Sequence, residues 1–242
     1  MKRLSSLAYV AILGFLAAYA INDVKQHSSN QSVLVAKQLR SFTVGIESHG
    51  DLGTGSLVLA NDQNDENGEG LFVITCAHVV EAAFKMEDKK VKVYQHFSHE
   101  ESVDSFAVIV CYCWDEDIAI LRVDDAHILR DYETLNFYLD IDEPLVGEEI
   151  FHVGNYVAGN GLYNKSLSTG IISFPNRKQG NICLDQLSCN VLPGSSGGAV
   201  VLRKDGRYVG MVSQGLPGGL TLMVPVRRIL GFAERNGITF AK

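Results

Sequence analysis

Proline is scarce in this sequence, with 5 residues against 23 glycines, so the chain turns often between short elements. No basic excess is present: Lys+Arg total 21 against 28 Asp+Glu, a formal charge of -7, and no stretch interleaves cations with aromatics. A nucleic-acid partner is therefore not expected. No heptad or fixed-period repeat recurs, which sets aside coiled coils and solenoids. The 5 cysteines, Cys76, Cys111, Cys113, Cys183 and Cys189, follow no structural-zinc spacing. Their odd number leaves at least one unpaired or joined to another chain. Cys111 and Cys113 share one strand face as badly placed neighbours and read as buried free thiols, while Cys183 and Cys189 could pair only if a turn separates them.

Apolar residues make up 46% of the 242 and charged residues 20%, ample for a packed core in one large domain or two small ones. The long apolar run lies at the start. Lys2 and Arg3 precede Leu7 to Ala20, which ends in the small-x-small triplet Ala18-Tyr19-Ala20. This is the layout of a secretory signal peptide, and Leu4 to Ile21 is also just long enough for a retained membrane anchor. Both readings of residues 1–21 put the remainder outside the cytoplasm, periplasmic or extracellular, with membrane attachment through residues 4–21 if the anchor is kept.

After a linker over 22–40, apolar runs alternate with Gly, Asn and Asp clusters, the pattern of an all-β fold. Expected strands are Phe42 to Ser48, Gly55 to Ala60, Leu71 to Thr75, Val91 to His96, Phe106 to Cys113 and Ile118 to Val123. A second group comprises Glu149 to Gly154, Leu167 to Ser173, Ala199 to Arg203, Tyr208 to Ser213 and Gly219 to Val224. The acid-rich stretch Asp124 to Pro144 reads as the link between them, dividing the chain at 41–135 and 136–242. Apolar residues at 226, 229, 230 and 233 make one face of a short terminal helix closed by Asn236-Gly237. The acidic tract Asn61 to Gly70 satisfies no calcium-loop register and reads as a hairpin tip. His96 and His99 fall on opposite faces of a strand and read as loop histidines, not metal ligands.

Three segments carry the residue types that acyl transfer needs: a nucleophile, a base and a group that orients the base. Thr75-Cys-Ala-His78 places a histidine directly after an apolar strand, although a hydrogen-bonded core histidine fits that position too. Trp114-Asp-Glu-Asp117 places an acid directly before another, where Asp115 would serve as well. Pro193-Gly-Ser195-Ser196-Gly-Gly198 sets a serine on a glycine-flanked turn whose amides can approach an oxyanion, a pattern shared with ordinary Gly-Ser loops. The order His, Asp, Ser along the chain is that of the chymotrypsin-type triad.

With these motifs the sequence resembles the chymotrypsin-fold, trypsin-like serine proteases, and most closely the HtrA/Deg protease domain. Gly53-Thr-Gly-Ser56, Val153-Gly-Asn155, Ser168 to Ser173, Val212-Ser-Gln-Gly215 and Val224-Pro225 extend the resemblance over roughly Phe42 to Gly237. It implies two six-stranded antiparallel β-barrels with a short C-terminal helix. It also implies the catalytic set His78, Asp117 and Ser196, and an oxyanion hole from the amides of Gly194 and Ser196. Asn190, Ser213, Gln214 and Gly215 are then substrate-binding. Asn190 stands where trypsin-like enzymes can carry a specificity acid, so a preference for Lys or Arg is not expected. Leu216, Leu220 and Leu222 point to a small or medium apolar side chain.

The resemblance implies polypeptide substrates, unfolded or exposed, a homo-oligomer, and no metal or organic cofactor. The Ile-Val-Gly-Gly-like start of enzymes activated by a new N-terminus is not expected to operate here, nor is a PDZ domain. The expected function is an extracytoplasmic serine endopeptidase working through an acyl-enzyme. The alternative is a peptide-binding or chaperone-like homologue with an inactive or switched centre.

Overall fold

The computed structural model describes residues 30–241 except 66–67, 98–100, 127–128, 130–131, 140–145 and 159–160. The leader over 1–21 lies outside the described residues, as does His99. Among the described residues no helix is long and apolar enough to cross a membrane.

Where a linker was expected over 22–40, the described part is a helix over 30–42, α1. Val35, Leu39 and Phe42 bury one side of it against the sheet that follows, and the Thr43 hydroxyl donates to the Leu39 carbonyl as the helix ends. Its polar residues fall on the opposite side, which is why the composition alone reads as linker.

The chain then forms β1 (Thr43–Ser48), β2 (Asp51–Asp62), β3 (Glu69–Thr75), β4 (Lys90–His96), β5 (Ser102–Cys113) and β6 (Ile118–Val123). A 3-10 turn at Ala77–Val80 and a single helical turn, α2 (Glu81–Phe84), separate β3 from β4. The strands run β1-β4-β5-β6-β3-β2, and pairing of β1 with β2 closes the ring. Val44, Ile46, Leu57, Val73, Val93 and Leu121 share its inner face, Phe72, Ile74, Ile118 and Ile120 fall on the opposite face, and all are fully buried. The Asn61 to Gly70 tract is the β2–β3 turn region, as its composition implied.

The second half comprises β7 (Glu149–Ala158), β8 (Gly161–Gln179), β9 (Ile182–Leu187), β10 (Ala199–Leu202), β11 (Tyr208–Leu216) and β12 (Leu220–Pro225). They close into a barrel in the order β10-β11-β12-β9-β8-β7 around Ile150, Ile172, Leu187, Val200 and Met223. The expected all-β, two-barrel architecture is thus present, each ring antiparallel and six-stranded. Two strands had no sequence expectation. In β9 the buried Asp185 interrupts the apolar pattern, its carboxylate taking Arg227 at 2.8 and 3.2 Å and the Asn176 N–H at 2.9 Å. The other, β13 (Ile238–Phe240), follows the terminal helix α3 (Val226–Arg235) and adds to β2, so the end of the chain returns to the first ring.

All five cysteines are free thiols, so Cys183 and Cys189 are not bonded to each other. His96 ends β4 and so belongs to a strand, not a loop.

Candidate active site

The cleft between the two rings, a cavity of about 1010 Å3, is lined by His78, Asp117, Asn190, Ser196 and Ser213 to Leu216. Each comes from the end of an element. His78 sits in the 3-10 turn after β3, where the strand stops and the chain folds under α2. Asp117 precedes β6 with φ 54, a left-handed conformation that Asp tolerates better than most residues and that closes the turn from Trp114. Glu116, next to it, is held by Arg228 at 3.1 Å and Arg235 at 2.6 Å, so α3 clamps the turn that presents the acid.

The Asp117 carboxylate is surrounded by donors. His78 Nδ1 lies 2.8 Å from Oδ1 and 3.0 Å from Oδ2, the His78 backbone N–H donates to Oδ1 at 3.2 Å, and the Ser213 hydroxyl donates to Oδ2 at 2.6 Å. Since an ionised carboxylate only accepts, Nδ1 carries the proton of the neutral ring and Nε2 keeps its lone pair. Burial raises the Asp117 pKa, but hydrogen bonding and charge from His78, with the Ser213 hydroxyl, outweigh it and the net shift is downward. Burial likewise pulls His78 down, and the Asp117 hydrogen bond and charge, with Glu81, turn the net shift upward. Asp115 also lines the cleft, but among the described residues the carboxylate hydrogen-bonded to His78 is that of Asp117.

Ser196 lies in the turn between β9 and β10. The hydroxyl of Ser195 is tied to the backbone of Leu192, so it is committed to holding the turn. The Ser196 hydroxyl faces the cleft and donates to the Ser213 carbonyl at 3.0 Å; among the described residues it has no bond to His78.

Two peptide units of this turn have fixed orientations. The Pro193 carbonyl accepts the Val157 N–H at 2.9 Å, and the Ser195 carbonyl accepts the Gly198 N–H at 2.9 Å. In a planar trans peptide the following N–H points the opposite way. The N–H groups of Gly194 and Ser196 are thereby turned from those acceptors, and neither has an acceptor among the described residues. Gly194 (φ 94) and Gly197 (φ 83) make the turn possible: a Cβ at Gly194 would lie 2.3 Å from the Asn155 carbonyl oxygen, and one at Gly197 2.1 Å from that of Thr54.

Thr54 and Asn155 hold this turn, roles that the sequence reading did not assign. The Thr54 hydroxyl donates to the Gly194 carbonyl at 2.7 Å and accepts the Asn155 N–H at 2.9 Å, while the Thr54 N–H donates to the Ser196 carbonyl at 2.9 Å. One threonine of the first ring thus fixes the serine turn of the second. The signal for it was present in Gly53-Thr-Gly-Ser56, but nothing in that tetrapeptide says what it touches.

The remaining predicted residues line one wall. Beyond Val212, β11 pairs with β12 but has no further pairing with β10, so Ser213 to Leu216 form an open strand edge. Val191 packs against the bare face of Gly215, where a Cβ would come within 2.9 Å of Cγ2, and Asn190 sits exposed beside Gly219. Leu216 and Leu220 border the cleft, whereas Leu222 is fully buried in the core and does not line it. Its side chain falls on the face of β12 opposite Met223, in the cluster that holds Leu184, Met211 and Val224, and Val191 supplies the apolar surface instead.

One cluster has metal-ligating atoms close together: Cys76, His78 and Asp117 each bring one within 4.8 Å of the others. The Cys76 thiol is fully buried and donates to the Val212 carbonyl at 3.2 Å; burial, then the Asp117 charge, pushes its pKa well above normal. It is a protonated thiol in a hydrogen-bond network, a poor donor for a metal ion.

A carboxylate-anchored histidine, a cleft-facing serine on a glycine turn and two uncommitted backbone amides are the parts of a chymotrypsin-fold serine protease. The chain belongs to the trypsin-like peptidase domain family, whose model matches residues 53–211. Among solved structures, the serine endoprotease from Yersinia pestis is 21% identical with a TM-score of 0.61, over 86% of this chain and 65% of that one. Deg5 is 17% identical with a TM-score of 0.66, over 86% and 96%. The HtrA-type protease AlgW, solved with a tripeptide, is 18% identical with a TM-score of 0.63, over 84% and 62%. The chain therefore has the HtrA fold and spans about two thirds of the length of two of these proteins. A search of curated proteins returned no match.

Proposed function

We propose that the protein is a serine endopeptidase that cleaves polypeptides outside the cytoplasm through an acyl-enzyme on Ser196. The observation that carries this reading is the anchoring of His78. Both Asp117 oxygens lie within hydrogen-bond reach of Nδ1, which leaves Nε2 as the base for the serine proton. In the attack the Ser196 oxygen bonds to the scissile carbonyl carbon, its proton passes to Nε2, and the oxyanion meets the amides of Gly194 and Ser196. Collapse expels the amine, which takes the proton from Nε2. Water then repeats the sequence to free the acid product and Ser196.

The Ser213 carbonyl links binding to chemistry. An extended peptide that adds to the open edge at Ser213 to Leu216 places a backbone N–H against that carbonyl, the acceptor now used by the Ser196 hydroxyl at 3.0 Å. Substrate therefore displaces the hydroxyl and returns it to His78. The export reading rests on the charged and apolar pattern of residues 1–21. Val191, Leu216 and Leu220 favour a small or medium apolar residue before the scissile bond.

The test is digestion of unfolded casein by the parent protein and by Ser196→Ala, with mass spectrometry of the products. The reading expects internal cuts after small or medium apolar residues by the parent alone. Equal turnover by the variant, or tight peptide retention without cleavage by the parent, would overturn it, the latter in favour of a peptide-binding homologue.

A further inference from the structure

Away from the catalytic cleft, four basic side chains converge on a cavity of about 280 Å3, and among the described residues that line it there is no acid. Helix α1 contributes Lys37 and Arg40, three apart and so on one face, with Ser41 beside them. The end of β4 contributes Gln95 and His96, and β8 contributes Lys165. Among the described residues none of the four bases makes an ion pair, and the buried Nε2 of His96 has no hydrogen-bond partner.

Lys165 is the unusual member. It is only 8% exposed, and its ammonium meets no acceptor among the described residues. Burial, and then the Arg40 charge, holds its pKa down at about 8. Burial and the Lys165 charge likewise lower that of His96. Gathering cations while withdrawing one from water is unfavourable unless an anion joins them.

The backbone is built to keep Lys165 there. Between the pairs Gly154↔Ser166 and Tyr156↔Tyr163 the register of β7 and β8 shifts, and Lys165 has φ 49 within that bulge. Its N–H donates to Asn155 Oδ1 at 3.0 Å, and Asn155 Nδ2 donates to the Val44 carbonyl at 3.1 Å. The lysine is thus fixed by a buried side chain that bridges both rings.

We propose that this cavity is a binding site for a phosphate group. Lys37, Arg40 and Lys165 supply positive charge around it, and His96 donates from Nε2. A doubly charged, tetrahedral oxyanion offers acceptors to all four, whereas a carboxylate offers two oxygens and one charge. Free phosphate and a phosphate monoester, as in a lipid headgroup that ends in phosphate, share this chemistry.

The test is calorimetric titration of the full chain in detergent with inorganic phosphate, chloride holding the ionic strength constant, and in a second arm with glycerol 3-phosphate. Saturable binding is expected, weakened about tenfold or more in Lys165→Met, since a charge-assisted hydrogen bond is lost. In Arg40→Gln, an exposed position whose change leaves the fold intact, the loss is about fivefold or more. Tighter binding of the ester supports the site and assigns it to a headgroup; tighter binding of inorganic phosphate supports it and assigns it to the free ion. Absence of saturable binding by the parent, or binding unchanged in both variants, would overturn the proposal.

Discussion

Replacing Asp117 with Asn changes no volume and leaves the side chain room for its present position, so its effect isolates charge and hydrogen-bond direction. The carboxylate now accepts from the His78 N–H, His78 Nδ1 and the Ser213 hydroxyl. A carboxamide has one acceptor oxygen and one NH2 group. The His78 backbone N–H can only donate, so the amide oxygen takes the Oδ1 position and the NH2 takes that of Oδ2. The Ser213 hydroxyl can rotate to accept, and Nδ1, still 2.8 Å from the amide oxygen, now also faces a donor 3.0 Å away. That weakens the hold on the Nδ1–H tautomer, and the tautomer protonated at Nε2 cannot take the serine proton. The lost charge adds to this: two unit charges about 4 Å apart at an effective dielectric of about 20 attract by about 4 kcal/mol, about three decades in rate. Triad replacements of this type elsewhere cost about four decades. A fall in kcat/KM of about 10^3 to 10^4 is therefore expected with an unchanged melting profile, measured against Ser196→Ala as the floor. A loss below about tenfold would refute the tautomer argument. Asp115→Asn, on the same turn without contact to His78, should stay within about twofold of the parent.

Because His78 must be neutral to act and its pKa is raised, kcat/KM should fall on the acid side with a midpoint above the ordinary 6.5, and Asp117→Asn should move that midpoint down. Stability should also depend on acid through His152. It is fully buried with Nδ1 on the Ala199 carbonyl, and burial lowers its pKa to about 4. A depressed histidine binds its proton in the unfolded chain first, so stability falls as pH drops below 6.5, by about 2 kcal/mol at pH 5. Melting of His152→Gln should lose that slope, and an unchanged slope would assign it to another group. Thr54→Val removes the hydroxyl that serves both Gly194 and Asn155. It should destabilise by about 2 kcal/mol and lower kcat by about tenfold or more through the misplaced Gly194 amide; unaltered kcat in folded protein would remove Thr54 from the positioning role. Ser195→Ala should retain turnover, since its hydroxyl serves only the Leu192 turn.

Much of this was legible because the chemistry repeats a local grammar. Ile118 to Val123 is a short, nearly continuous apolar run buried on both faces, and β6 has those limits. Asp117 and His78 are readable because each borders such a run, but only tertiary contact separates Asp117 from Asp115. What escaped was encoded in pairs far apart in sequence. Asp185 looks like a strand breaker until Arg227 lies against it. The polar residues of α1 look like linker until Val35, Leu39 and Phe42 are seen on one face. Val191 gave no sign that its methyls would cover Gly215, and Thr54 none that it would carry the serine turn. Such contacts follow from how the two rings meet, which no window of local pattern reports.

The central claim is that Ser196 is an activated nucleophile, and covalent labelling tests it without reference to substrate preference. A fluorophosphonate reacts where a serine oxygen is deprotonated beside an oxyanion site. The account predicts one adduct per chain, mapped by tandem mass spectrometry to Ser196, lost in Ser196→Ala and in His78→Ala, and kept in Ser195→Ala. An adduct on Ser195, or none on well-folded parent protein, would contradict it.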